Sequence, residues 1–92
     1  MSNTPDFLDI HDDHIVITLK AGVEIDGAKV NALTMREPTV DDNLAMDAYK
    51  GTDAQKELFM FGNLCGVAPT DLQKLTLRDY GRVQKAFTNF ID

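Results

Sequence analysis

Apolar and polar positions change period once along the chain, at Pro38. Ahead of it, Ile15, Ile17 and Leu19 share one parity while His14, Thr18 and Lys20 share the other, the spacing of a half-buried strand; Val16 alone breaks the pattern. After Ala21-Gly22 the alternation resumes in Val23-Glu24-Ile25 and meets Asp26-Gly27, a pair suited to positive φ at both centres of a tight hairpin turn. A returning strand through about Val30 to Met35 follows. Val30 and Leu33 have opposite parity, which requires a bulge or an early end in that strand. The pattern therefore predicts a hairpin over residues 14–36.

Beyond Pro38 the apolar spacing becomes three and four. Four threonines precede an acid or amide by three positions: Thr39 with Asp42, Thr52 with Gln55, Thr70 with Gln73, and Thr76 with Asp79. Each pair resembles a capping box, in which the two side chains satisfy backbone N–H groups at a helix start. The first predicted helix runs from about Val40 to Lys50, with Val40, Leu44 and Ala48 on one stripe, and stops before Gly51. A second spans about Asp53 to Cys65, carries Leu58, Phe61, Leu64 and Cys65 at helical spacing, and ends at Gly66. Phe59 and Met60 widen its apolar face. A short turn covers Asp71 to Leu75, and a last helix after Thr76 places Leu77, Tyr80, Val83, Phe87 and Phe90 on its core stripe, opposite Arg78, Arg82 and Lys85. The fold class is α+β: an N-terminal β-hairpin followed by a small bundle of three to four helices, over residues 39–92.

Composition narrows the class. Ninety-two residues with 43% hydrophobic content suit a single domain, residues 14–92. Met1 to Asp13 holds only Phe7, Leu8 and Ile10 as apolar residues between polar ones, and reads as a flexible acidic tail. The net charge is −6, of which Asp6, Asp9, Asp12 and Asp13 account for −4, leaving −2 for the rest. Such a balance repels phosphate backbones and anionic lipid, so neither nucleic acid nor membrane is an expected partner. The lone Cys65 excludes an internal disulfide and fits a reducing cytoplasm. No apolar run approaches the roughly 20 residues that span a bilayer.

Candidate chemistry is sparse. His11-Asp12-Asp13-His14 offers four metal ligands in sequence, but successive residues of an extended chain point apart, so a solvated lead-in to the strand is the expectation and a metal-dependent enzyme the remote rival. Cys65 sits on an apolar stripe, as a buried inert thiol does. Asp41-Asp42 falls in the first turn of a helix, where the helix dipole favours carboxylates without any catalytic role. Gly62 and Gly81 lie inside helical patterns at a cost of about 1 kcal/mol each, which implies close packing there, against the chain's own helices or against a partner. The expected catalytic, cofactor and metal residues are none; the protein reads as a binding module.

Leu33-Thr34-Met35-Arg36-Glu37-Pro38-Thr39-Val40-Asp41-Asp42 resembles the strand-to-helix junction of the phage tail assembly chaperone family of Mu-like and other contractile-tailed phages. Pro38 forces Glu37 to be extended and Thr39 then caps the helix. Gly66, Leu72 with Leu75, and Arg78-Asp79-Tyr80 match a second region of that family, and the Asp26-Gly27 hairpin matches in position. Met35 stands where leucine is usual, and the second helix is unusually aromatic. The resemblance implies a chaperone that coats the tape-measure protein in the host bacterial cytoplasm and is displaced as tail tube subunits polymerise. It implies further partners in a frameshifted longer form of the same chain and in copies of itself. The alternative is a small structural tail component retained in the virion. Apolar helix faces would meet the client, and Leu58, Phe59, Phe61, Leu64, Phe87, Phe90 and Ile91 are the candidates for that contact.

Overall fold

The computed structural model describes residues 4–91; residues 1–3 of the acidic tail and Asp92 lie outside them. The order is β1 (Leu8–Ile10), β2 (His14–Ile25), β3 (Ala28–Arg36), α1 (Val40–Ala48), α2 (Asp53–Cys65), α3 (Pro69–Leu72) and α4 (Leu77–Ile91). The α+β expectation holds, with one amendment: among the described residues the sheet has three antiparallel strands, in the order β1-β2-β3, where a two-stranded hairpin was expected; the helices number four, within the expected three to four, and α3 is a single turn.

The third strand corrects the reading of the N-terminal segment. Leu8 pairs with Ile17 and is buried, Phe7 packs against the core, and the backbone of Thr18 donates to Phe7 O. Two apolar residues among aspartates are enough to fix a strand, because Phe7 and Leu8 gain from burial while the flanking charges stay in water and incur no desolvation cost.

The hairpin forms as its pattern requires. Ile15, Ile17, Leu19, Leu33 and Met35 are buried, and Asp26 and Gly27 both adopt positive φ, 53° and 81°. Thr18 pairs with Ala32 and Val23 with Val30, so four residues of β2 face one of β3 across a wide bulge. That bulge resolves the parity conflict: Leu33 and Met35 face the core on one side of it, and Val30 packs beside Val23 on the other. Gly22, at φ 82°, lies in the bulge, where a Cβ would come within 2.9 Å of Asn31 Oδ1 and 3.0 Å of Val30 O.

The helices cover one face of this sheet in preference to bundling with one another. α4 packs across β2, α2 packs on β3, and α1 rests on α2. The molecule is accordingly two layers deep, 19 Å in its thinnest direction. Phe61 is the largest fully buried side chain, with Tyr80 and Phe87 tilted against it at ring separations of 5.9 and 5.3 Å.

Two capping boxes are complete, Thr39 with Asp42 and Thr52 with Gln55. The other two are not. α3 begins two residues early with Pro69 in its first turn and Ala68 as its cap, so Thr70 caps nothing. Thr76 Oγ1 accepts the N–H of Asp79, but the Asp79 carboxylate turns away to β2. One apolar assignment is also corrected: Leu77 is exposed and not in the core. The α1 stripe of Val40, Leu44 and Ala48 points outward, because α1 docks through Met46, off that stripe.

Candidate partner-binding surface

Two polar junctions set the helices in place. At the first, the Arg36 guanidinium donates to both carboxylate oxygens of Asp42 at 2.7 and 2.8 Å, tying the end of β3 to the start of α1, while Thr39 N donates to the same carboxylate at 2.8 Å. The Arg36 hydrogen bonds hold the Asp42 carboxyl well below the usual carboxylate range.

At the second, Asp79 has no exposed surface and accepts three backbone N–H groups of the bulge, from Lys20 at 2.7 Å, Ala21 at 3.0 Å and Gly22 at 3.2 Å. Burial works against its charge, but these three donors, helped by the nearby Arg82 charge, outweigh it and keep the carboxyl below its ordinary value. Arg82, one turn along α4, donates to Thr18 O at 2.8 Å and lies 4.5 Å over the Phe7 ring. It is therefore part of the β2 junction and not of a solvated basic stripe, on which Arg78 and Lys85 remain exposed. Sequence reasoning read Asp79 as a cap and as part of the Arg78-Asp79-Tyr80 element, and not as a partner of β2. The available signal was the glycine-containing interruption of β2, whose N–H groups had no strand to pair with.

Around this frame the candidate contact residues separate. Phe61 and Leu64, each 2% exposed, belong to the core. Leu58 is half-buried on the rim of a groove between α2, α3 and α4, about 320 Å³ in volume, floored by Leu72, Leu75 and Tyr80. Phe59 is half-buried and stacks on Tyr49 at 4.5 Å. Phe87 and Phe90 are half-buried against the core, and Ile91 is 63% exposed. Phe87 and Ile91 line a second hollow of about 480 Å³, between α1, α2 and the end of α4.

The exposed surface also includes Leu77, which the sequence had assigned to a core stripe, at 89%, and Val40 and Leu44 of the α1 stripe, at 77% and 59%. Periodicity located the α1 stripe correctly but carries no information about which way it faces.

The groups that suggested chemistry are accounted for differently. His11 Nε2 and Asp9 Oδ2 stand 3.0 Å apart, His14 Nδ1 and Asp13 Oδ1 2.7 Å apart, and the two imidazoles stack at 4.4 Å. Among the described residues no group of three or more His, Cys, Asp or Glu side chains is placed to hold a metal ion. Burial pushes the Cys65 thiol up to about 12, away from the thiolate a nucleophile needs. Tyr80 donates to Glu57 Oε1 at 2.5 Å, and Gln84 donates to the same oxygen at 3.0 Å; burial, then Glu57, raises the phenol well above its ordinary value. This is a fixed bond between α2 and α4. Gly62 allows α2 to approach the following loop, since a Cβ there would lie 2.8 Å from Val67 O, whereas a Cβ at Gly81 would meet nothing within 4 Å. Among the described residues no helix is long and apolar enough to cross a membrane.

A family model described as "Phage tail assembly chaperone proteins, E, or 41 or 14" matches residues 16–92. No curated protein and no solved structure matches the chain.

Proposed function

The chain belongs to the phage tail assembly chaperone proteins, and from that premise we propose that it binds the tape-measure protein and keeps it soluble, in the host cytoplasm, until tail tube subunits replace it. The observation that carries this reading is the combination of uncovered apolar side chains, Val40, Leu44, Leu77 and Ile91, with a net charge of −6. A tape-measure chain is long and helical, and aggregates through the faces that its assembled partners will later cover. A chaperone for it must offer apolar surface as a temporary substitute and enough like charge to keep the complexes apart. This domain has both.

Binding, not catalysis, is the activity. The protonated Cys65 thiol and the carboxylates committed to backbone and arginine donors at Asp79 and Asp42 support that reading. Copies of itself, and a frameshifted longer form that would add a second contact to the same client, are the further partners this account allows.

Mass spectrometry of purified mature tails tests the proposal against its rival. The chaperone is absent from them and is recovered bound to the tape-measure protein from lysates in which tails are assembling. Stoichiometric presence in mature tails would instead make it a structural component of the virion.

A further inference from the structure

We infer that the hollow between α1, α2 and the C-terminal end of α4 is the client-docking groove, and that its occupant is an amphipathic α-helix whose apolar face is flanked by lysine or arginine. The inference rests on the chaperone reading and specifies the chemistry of its client.

The floor of the hollow is apolar: Met46 from α1, Met60 and Phe61 from α2, and Phe87 and Ile91 from α4. Met60 and Phe61 are anchored in the core, whereas Met46 and Phe87 are half-buried and Ile91 projects into water. Two methionines on such a floor give it a surface that adapts to different side chains. Its volume of about 480 Å³ is in the range of pockets that take a ligand, roughly 300–1,000 Å³.

The rim selects by charge. Among the described residues, Asp47, Asp53 and Glu57 surround the floor with a single cation, Lys56. A client with basic residues beside its apolar face gains at this rim, and one with acidic residues is repelled. The groove between α2, α3 and α4 has a different rim, with Glu57 its one charged residue among those described, and makes no such selection.

Backbone hydrogen bonding selects a helix. The walls are helix faces presenting side chains, and among the described residues no strand edge lines the hollow. An extended peptide lying there would bury N–H and C=O groups without partners, while a helix satisfies its own.

The test uses the full chain and three synthetic peptides of equal length, about 18 residues: a helix with leucines at i, i+3, i+4 and i+7 flanked by lysines, the same peptide with glutamates for lysines, and a scrambled version of the lysine peptide. Methyl and amide NMR shifts map the contact, and calorimetry measures affinity. The lysine helix is expected to shift the Met46, Met60 and Ile91 signals, and to bind at least tenfold more tightly than either control. Asp47→Lys and Ile91→Asp, both at exposed positions, are each expected to weaken it fivefold or more with an unchanged circular dichroism spectrum. Equal binding of the glutamate helix, or shifts confined to Leu72, Leu75 and Leu77, overturns the groove assignment. Failure of the chaperone reading is distinguishable. If the peptide behaves as expected but the tape-measure protein does not co-purify, the groove stands and its client is another basic helix; if the tape-measure protein is retained undiminished by both variants, the chaperone stands and the groove is wrong.

Discussion

At the scale of single residues, Asp79 does the most to set this fold. Its carboxylate replaces a missing strand partner for the three N–H groups of the β2 bulge, and one residue thereby fixes α4 to the sheet. Asp79→Asn keeps the shape but removes the charge and places an amide N–H against donors, and is expected to cost about 2–4 kcal/mol in urea unfolding. Because the folded pKa is lowered, the stability it contributes is present above the unfolded value, about pH 4, and is lost as pH falls through the folded one. Asp42, lowered by Arg36, acts in the same direction. The urea midpoint should therefore fall as pH drops below about 4, and fall less steeply in Asp79→Asn. The two helical glycines give opposite expectations. Gly81→Ala meets open space and should stabilise by about 0.5–1 kcal/mol through helix propensity, whereas Gly62→Ala drives a methyl against the Val67 carbonyl and should destabilise by about 1–3 kcal/mol. Thermal melts of the two variants decide this, and like-signed shifts would contradict the packing described.

At the scale of elements, α1 stands apart. It has no buried residue and is held by the Arg36–Asp42 pair, Met46, and the stacking of Tyr49 on Phe59. Its amides should exchange with solvent faster than those of α4 by at least an order of magnitude. Arg36→Ala should widen that gap while costing global stability only about 0.5–1 kcal/mol, since the arginine is half exposed. Most elements were legible in the sequence where local chemistry decides them: the Asp26-Gly27 turn, the Thr39 and Thr52 boxes, and the bounds of α2 all follow from neighbours within a few residues. What was not legible depends on distant partners. β1 exists because β2 offers Leu8 a register, α1 faces outward along Val40 and Leu44 because Met46 docks instead, and Asp79 leaves its cap because a bulge 57 residues away or more needs an acceptor. The same limit applied to the contact surface: apolar spacing marked Phe61 and Leu64 as readily as Ile91, and only packing separates core from surface.

At the scale of the whole molecule, a two-layer domain of this size has core enough for one sheet face, and the apolar side chains left over lie on α1, α4 and the grooves beside them. An acidic protein with apolar surface on its least anchored helix is suited to holding a partner reversibly, since the contact need not disturb the Asp79 junction that maintains the fold. Its membership of the tail assembly chaperone family accords with the use proposed for that surface. The most direct test is co-expression of this chain with the tape-measure protein of the same phage, with the soluble, co-purifying client measured against expression of the client alone. The account predicts a several-fold rise in soluble client and a stable complex of the two proteins; a client that remains insoluble and does not co-purify would contradict it.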